Sequence, residues 1–166
     1  MNELGLLYQA IDKSVDGLTR LHGNRLRCCA GCCACCVDDI TVYEVEADYI
    51  RAHYADLLEH SLPHAREACA FLDDNGLCRI YACRPYVCRT QGLPLHWLDE
   101  NKDGTTTAFR DICPVNNNGV PVETLPEKQC WIVGPAEEQL AMMQYCKDGG
   151  SMARIRLRDM FKQQPN

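Results

Sequence analysis

A mainly α-helical fold, with short irregular or hairpin elements set around clustered cysteines, is the fold class this chain predicts. Apolar residues recur at helical spacing in three separate stretches, the mark of amphipathic helices. Thirteen of the 166 residues are cysteine, and six of these fall in RCCAGCCACC at 27–36, which has neither a helix nor a strand period. The length suits a single small domain, 1–166, enclosing one ordinary core. Within it, a cysteine core at 28–115 is expected to carry an N-terminal helix (1–24) and a C-terminal segment (135–166) packed on it.

Taken in order, Leu4, Leu7, Ile11, Val15 and Leu18 step by three and four and predict a helix over 3–22, which Gly23 and Asn24 end. The run 28–36 holds only Ala and Gly31 besides Cys, and predicts a tight loop wrapped around something. Thr41-Val-Tyr-Glu44 reads as a capping box opening a second helix, with Val45, Tyr49, Ala52 and Leu57 on one face. Pro63 opens a short helix through Phe71, and DDNG at 73–76 turns the chain into CRIYACRPYVCR at 78–89.

Residues 93–98 and 105–110 flank DENKDG and predict a hairpin. Asp99-x-Asn101-x-Asp103-Gly104 opens like a calcium loop, but Arg110 stands where a bidentate Glu is required, so a plain turn is expected. Residues 112–135 are rich in Asn, Pro and Gly and read as irregular. Pro135 opens a last helix, with Leu140, Met143 and Cys146 at core spacing, that stops at Gly149-Gly150. In MARIRLRDMF the alternation of Arg154, Arg156 and Arg158 fits a strand and a helix alike.

Composition excludes several classes. No apolar run approaches the ~18 residues a membrane-spanning helix needs. The opening MNELGLLYQAIDK is acidic where a signal peptide is basic, so a cytoplasmic protein is expected. In a reducing compartment, and with an odd cysteine count, dense cysteine points to metal ligation or redox chemistry rather than a disulfide scaffold. The formal net charge of −6 opposes nucleic-acid binding, which draws its affinity from a basic stripe. Each four-thiolate, dipositive site would add −2, so two would take the charge from −6 to about −10. Arg25, Arg27, Arg84 and Arg89, close to the cysteines in sequence, are the candidates to offset it.

A thiolate site needs sulfurs delivered by sharp turns to a centre about 2.3 Å away. Cys29-x-x-Cys32-x-x-Cys35 chains two such turns and Cys36 adds a fourth thiol. The same run serves iron–sulfur clusters such as [4Fe-4S], whose fourth ligand lies further on beside a proline, and Cys113-Pro114 has that look. Tetrahedral zinc accepts the same donors, so zinc and iron both stay open. Cys28-x3-Cys32-x2-Cys35 also matches radical S-adenosylmethionine spacing, but the chain is short for the partial barrel those enzymes need.

These residues resemble a known family. Cys29-A-G-Cys32-C-A-Cys35-Cys36 is similar to the CxxCxxCC signature of the bacterial YkgJ-like cysteine-cluster proteins, a zinc- or iron-chelating domain. The resemblance continues through Thr41 and Glu44, Cys69-A-F-Leu72, and Cys78-R-I-Tyr81-A-C-Arg84-Pro85-Y-V-Cys88-Arg89, and covers roughly 28–115. Flagellin lysine N-methylases are similar in the cysteine motif, which implies a link to protein methylation, although this chain is much shorter. The resemblance places Cys29, Cys32, Cys35, Cys36, Cys69, Cys78 and Cys88 on motif positions, with Cys113 the candidate eighth metal ligand. Cys28, Cys33 and Cys83 fall on positions the motif leaves free. Cys130 and Cys146 read as core or free thiols, and His22, His53, His60, His64 and His96 as surface or packing residues.

The expected function is metal binding by cysteine thiolates, with metal ions as the partners. An iron–sulfur-dependent enzyme or accessory factor for protein modification, and a metal delivery or storage protein, are the alternatives. No Ser/His/Asp or paired-carboxylate arrangement nominates a catalytic group.

Overall fold

The computed structural model describes residues 2–162. It corrects the mainly α expectation: 43% of the residues are helical and 14% lie in strands that form two small sheets, giving a mixed α and β fold. Sequence periodicity misses the Thr41–Tyr43/Arg154–Arg156 sheet and the Trp131–Ile132 edge because these strands are two or three residues long and pair across distant parts of the chain. The chain divides into two compact units. The first comprises the chain up to Cys28 with Tyr86–Glu138, and the second Cys29–Pro85 with the chain from Gln139 on.

In the first unit, α1 (Glu3–Leu21) follows the expected periodicity. Asn2 caps it by accepting from Gly5 N at 2.9 Å, and Leu4, Leu7, Tyr8 and Ile11 are buried. The short α3 (Tyr86–Arg89) meets α1 through Arg89, whose guanidinium stacks 3.9 Å over the Tyr8 ring and donates to Asp12 at 2.6 Å. The expected hairpin is present. Strands β2 (Leu95–Glu100) and β3 (Thr106–Asp111) pair antiparallel, and β4 (Trp131–Ile132) adds a parallel edge to β2. In the hairpin turn Asp103 accepts from both Thr105 N and Oγ1, and Asn101 donates to Thr105 and Thr107, so these side chains build the turn. Ile112, Val122, Leu125 and Cys130 form a small core below it, linked by 3-10 turns within the irregular segment.

In the second unit, β1 (Thr41–Tyr43) pairs antiparallel with β5 (Arg154–Arg156), placing Val42 opposite Ile155. The capping box is not formed: Thr41 lies in a strand, where its Oγ1 accepts from Arg154 Nε at 3.0 Å, and Glu44 pairs with Arg51. Helix α2 (Glu44–His60) buries Glu46, Ala47, Ile50 and Leu58, a face rotated from the expected Val45–Tyr49–Ala52–Leu57 stripe. The segment after Pro63 is irregular rather than helical. Glu67 sits at φ 81°, outside helical geometry, and Arg158 takes the carbonyls of His64, Ala65 and Ala68. MARIRLRDMF resolves as β5 followed by a 3-10 turn, Leu157–Met160. The core joins Val42, Ile50, Phe71, Ile80, Leu157, Met160 and Phe161.

The unit boundary falls inside α4 (Pro135–Asp148). Its buried positions are Ala136, Leu140 and Gln144, with Met143 half-buried and Cys146 exposed, so the expected core spacing holds at Leu140 alone. Gln144 is fully buried because its amide is used: Oε1 accepts from Val45 N at 2.9 Å and Nε2 donates to Asp148 at 2.6 Å. Among the described residues no helix is long and apolar enough to cross a membrane.

Candidate metal centre

Two turns of the cysteine run are closed by backbone hydrogen bonds, the expected Cys29–Cys32 turn and a second at Cys33–Cys36, one residue beyond the expected Cys32–Cys35 spacer. Cys32 N donates to Cys29 O at 3.0 Å and Cys36 N to Cys33 O at 2.8 Å. Gly31, at φ 85°, lets the first turn form, and it lies against Gly76 of the DDNG turn. The second turn aims its last residue inward. Cys36 is half-buried while Cys29, Cys33 and Cys35 face solvent.

The DDNG turn closes a tight hairpin that brings Cys69 and Cys78 to the same end. Arg79 N donates to Phe71 O at 2.8 Å and Asp73 N to Leu77 O at 2.9 Å, with Asp73 Oδ1 capping the turn. Cys69 N then donates to Cys36 O at 2.8 Å and docks the cysteine run on this hairpin. Two segments, the cysteine run and the 69–78 hairpin, thus deliver Cys36, Cys69 and Cys78 to one place.

The electrostatics follow from that convergence. Burial, and then the neighbouring Cys35, Cys69 and Cys78, push the Cys36 thiol up to about 12. Burial likewise raises Cys69 and Cys78; the Phe71 and Ile80 amides, respectively, act in the opposite direction. Arg84 and Arg79 favour the Cys78 thiolate, so Arg84 has the offsetting role expected of it and Arg79 joins it. Arg84 stacks 4.2 Å over the ring of Tyr81, which is 64% exposed rather than packed in the core. Arg89 instead pairs with Asp12, and Arg25 donates to the carbonyls of Asn118 and Val120.

Among the described residues, no three His, Cys, Asp or Glu side chains stand ready to hold a metal ion. Electrostatic coupling among Cys36, Cys69 and Cys78 is a looser condition than convergence on one point about 2.3 Å from every sulfur. Donor chemistry nevertheless fits zinc or iron: every donor is a soft thiol, and a cation would relieve both their desolvation and their mutual repulsion.

Of the eight nominated ligands, Cys29, Cys32, Cys35, Cys36, Cys69 and Cys78 belong to the second unit, and Cys35, Cys36, Cys69 and Cys78 act on one another. Cys88 and Cys113, both half-buried, belong to the first. Two further residues attend the cluster without having been marked by spacing. Tyr54 sits at a kink in α2 (φ −131°) and hydrogen-bonds the buried Cys83; burial, followed by Cys83 and Cys78, raises its hydroxyl pKa. Neither Tyr54 nor Cys83 lies in a motif position, and only tertiary contact reveals them. In the first unit Cys28 Sγ accepts from the fully buried Asn116 amide at 3.2 Å. Cys130 is a core residue as expected. His22 is buried and donates to Gln129 O at 2.7 Å, and His96 is buried in β2.

The site and fold define a class: a small mixed α and β protein that gathers soft thiol donors from separate loops. Residues 28–114 match the model of the family CxxCxxCC, described as "Putative zinc- or iron-chelating domain", and the chain belongs to that family. No curated protein and no solved structure matches it.

Proposed function

We propose that the second unit binds zinc or iron through Cys36, Cys69 and Cys78, with Cys35, Cys32 and Cys29 of the same run supplying further thiolates. The observation that carries this reading is the backbone docking of Cys36 on Cys69 at the end of the hairpin that holds Cys78. Such a set suits a structural tetrahedral ion and equally a [4Fe-4S] cluster. Cys88 and Cys113 remain the nominated ligands of the first unit. The thiol-rich set fits a reducing, cytoplasmic setting.

Protein purified without oxygen, assayed for zinc, iron and acid-labile sulfide, tests this. We expect zinc, or iron with sulfide, to survive dialysis in the wild type and to be lost in Cys36→Ser and Cys69→Ser but kept in Cys146→Ser. Metal-free, folded wild-type protein would end this reading. The exposure of Cys29, Cys33 and Cys35 favours a second reading, metal delivery, in which bound metal passes to a competing chelator within minutes.

A further inference from the structure

Arg158 lies well outside the cysteine motifs, yet it is 9% exposed and its guanidinium is committed to the two segments that flank the thiol cluster. Its Nε donates to both carboxylate oxygens of Asp38, at 2.8 and 3.1 Å, two residues beyond Cys36. Nη1 donates to His64 O at 2.6 Å, and Nη2 to Ala65 O at 3.1 Å and Ala68 O at 3.0 Å, the last being the residue before Cys69. The planar fork thus grips the exit of the cysteine run on one side and the entry to Cys69 on the other. The segment it holds, 64–68, is irregular, with Glu67 at φ 81°. Arg158's chain neighbours Leu157 and Met160 are core residues.

We propose that Arg158 is a positioning residue for the thiol cluster: its guanidinium fork sets the separation of Cys36 from Cys69 and keeps the 64–68 loop over Cys69. A lysine keeps the charge but cannot hold a carboxylate and three carbonyls in one plane. The metal arm of the test rests on the reading above; the thiol arm does not.

The full-length wild type, Arg158→Lys and Arg158→Gln are each stripped of metal, and every cysteine is followed by mass spectrometry during iodoacetamide alkylation. Zinc affinity is measured on the same proteins against a colorimetric chelator. In both variants Cys69 is expected to alkylate about tenfold faster or more, while Cys130, buried in the other unit, stays protected and so reports that the rest of the chain is folded. Zinc affinity is expected to fall by about 10–100-fold, the usual cost of removing a residue that orients ligands. If Arg158→Gln also exposes Cys130, Arg158→Lys decides. Wild-type Cys69 protection and zinc affinity in Arg158→Lys would overturn the proposal. Wild-type protein that binds neither zinc nor iron, with the Cys69 shift still present, would overturn the metal reading and leave the positioning role standing.

Discussion

Cys36 carries the most consequence for its size. Its thiol is desolvated and surrounded by Cys35, Cys69 and Cys78, so a serine there removes the thiol that the other three act on. We expect Cys36→Ser to lose about 10-fold or more in zinc affinity while the exposed Cys146→Ser stays at wild type, read by chelator competition. Asp148 shows a different kind of commitment. It accepts from Ser151 Oγ, Gln144 Nε2 and the Gly150 and Ser151 amides, first of all from Ser151, and its carboxyl is held below the ordinary 3.8 at about 2. A lowered carboxylate pKa stabilises the fold fully above about pH 4, and that stability is lost as pH falls towards 2. Measured against the intrinsic rate, amide exchange at 150–153 should therefore quicken through that window in the wild type. In Asp148→Asn it should be fast already at neutral pH.

Individual elements stand where a few side chains cross between them. Arg89 of α3 is buried and reaches Asp12 of α1, a half-exposed carboxylate. Asp12→Ala leaves a buried guanidinium short of its anion, and we expect a loss of about 1–2 kcal/mol in urea unfolding, discounted for Asp12's access to water. Gly92, between α3 and β2, sits at φ 91°, and a Cβ there would come within 2.7 Å of Cys28 Sγ and 3.1 Å of Asn116 Nδ2. Gly92→Ala is expected to cost about 1–3 kcal/mol and to make Cys28 alkylate faster, because the backbone strain and the clash act together. α2 teaches a more general point. Its Thr41–Glu44 box was a sound local signal, yet pairing with β5 drew Thr41 into a strand, since ladder bonds and Val42 burial outweigh one side-chain cap.

For the whole molecule, metal is expected to act on the second unit. Ligand binding free energy there is folding free energy, so chelation should raise amide exchange across 33–38 and 67–80 while the β2–β3 hairpin of the first unit keeps its protection. Hydrogen exchange with and without a chelator reads both units in one experiment. Uniform exchange across both would show that the ion does not organise the second unit.

By itself the sequence determined what is local. Helix α1, the DENKDG hairpin, the DDNG turn and the CxxCxxCC family membership could all be read from it, because a cap, a period of 3.6 or a two-residue spacer acts over a few positions. It also narrowed thirteen cysteines to a motif set containing Cys36, Cys69 and Cys78. Only the tertiary structure decided which thiols act on one another, that Tyr54 and Cys83 stand beside them, and that strands as short as Thr41–Tyr43 and Arg154–Arg156 form a sheet. Its reason is distance along the chain. Arg158 grips Asp38 across 120 residues, and no periodicity encodes such a contact, which exists only once burial in the shared core has brought the two segments together.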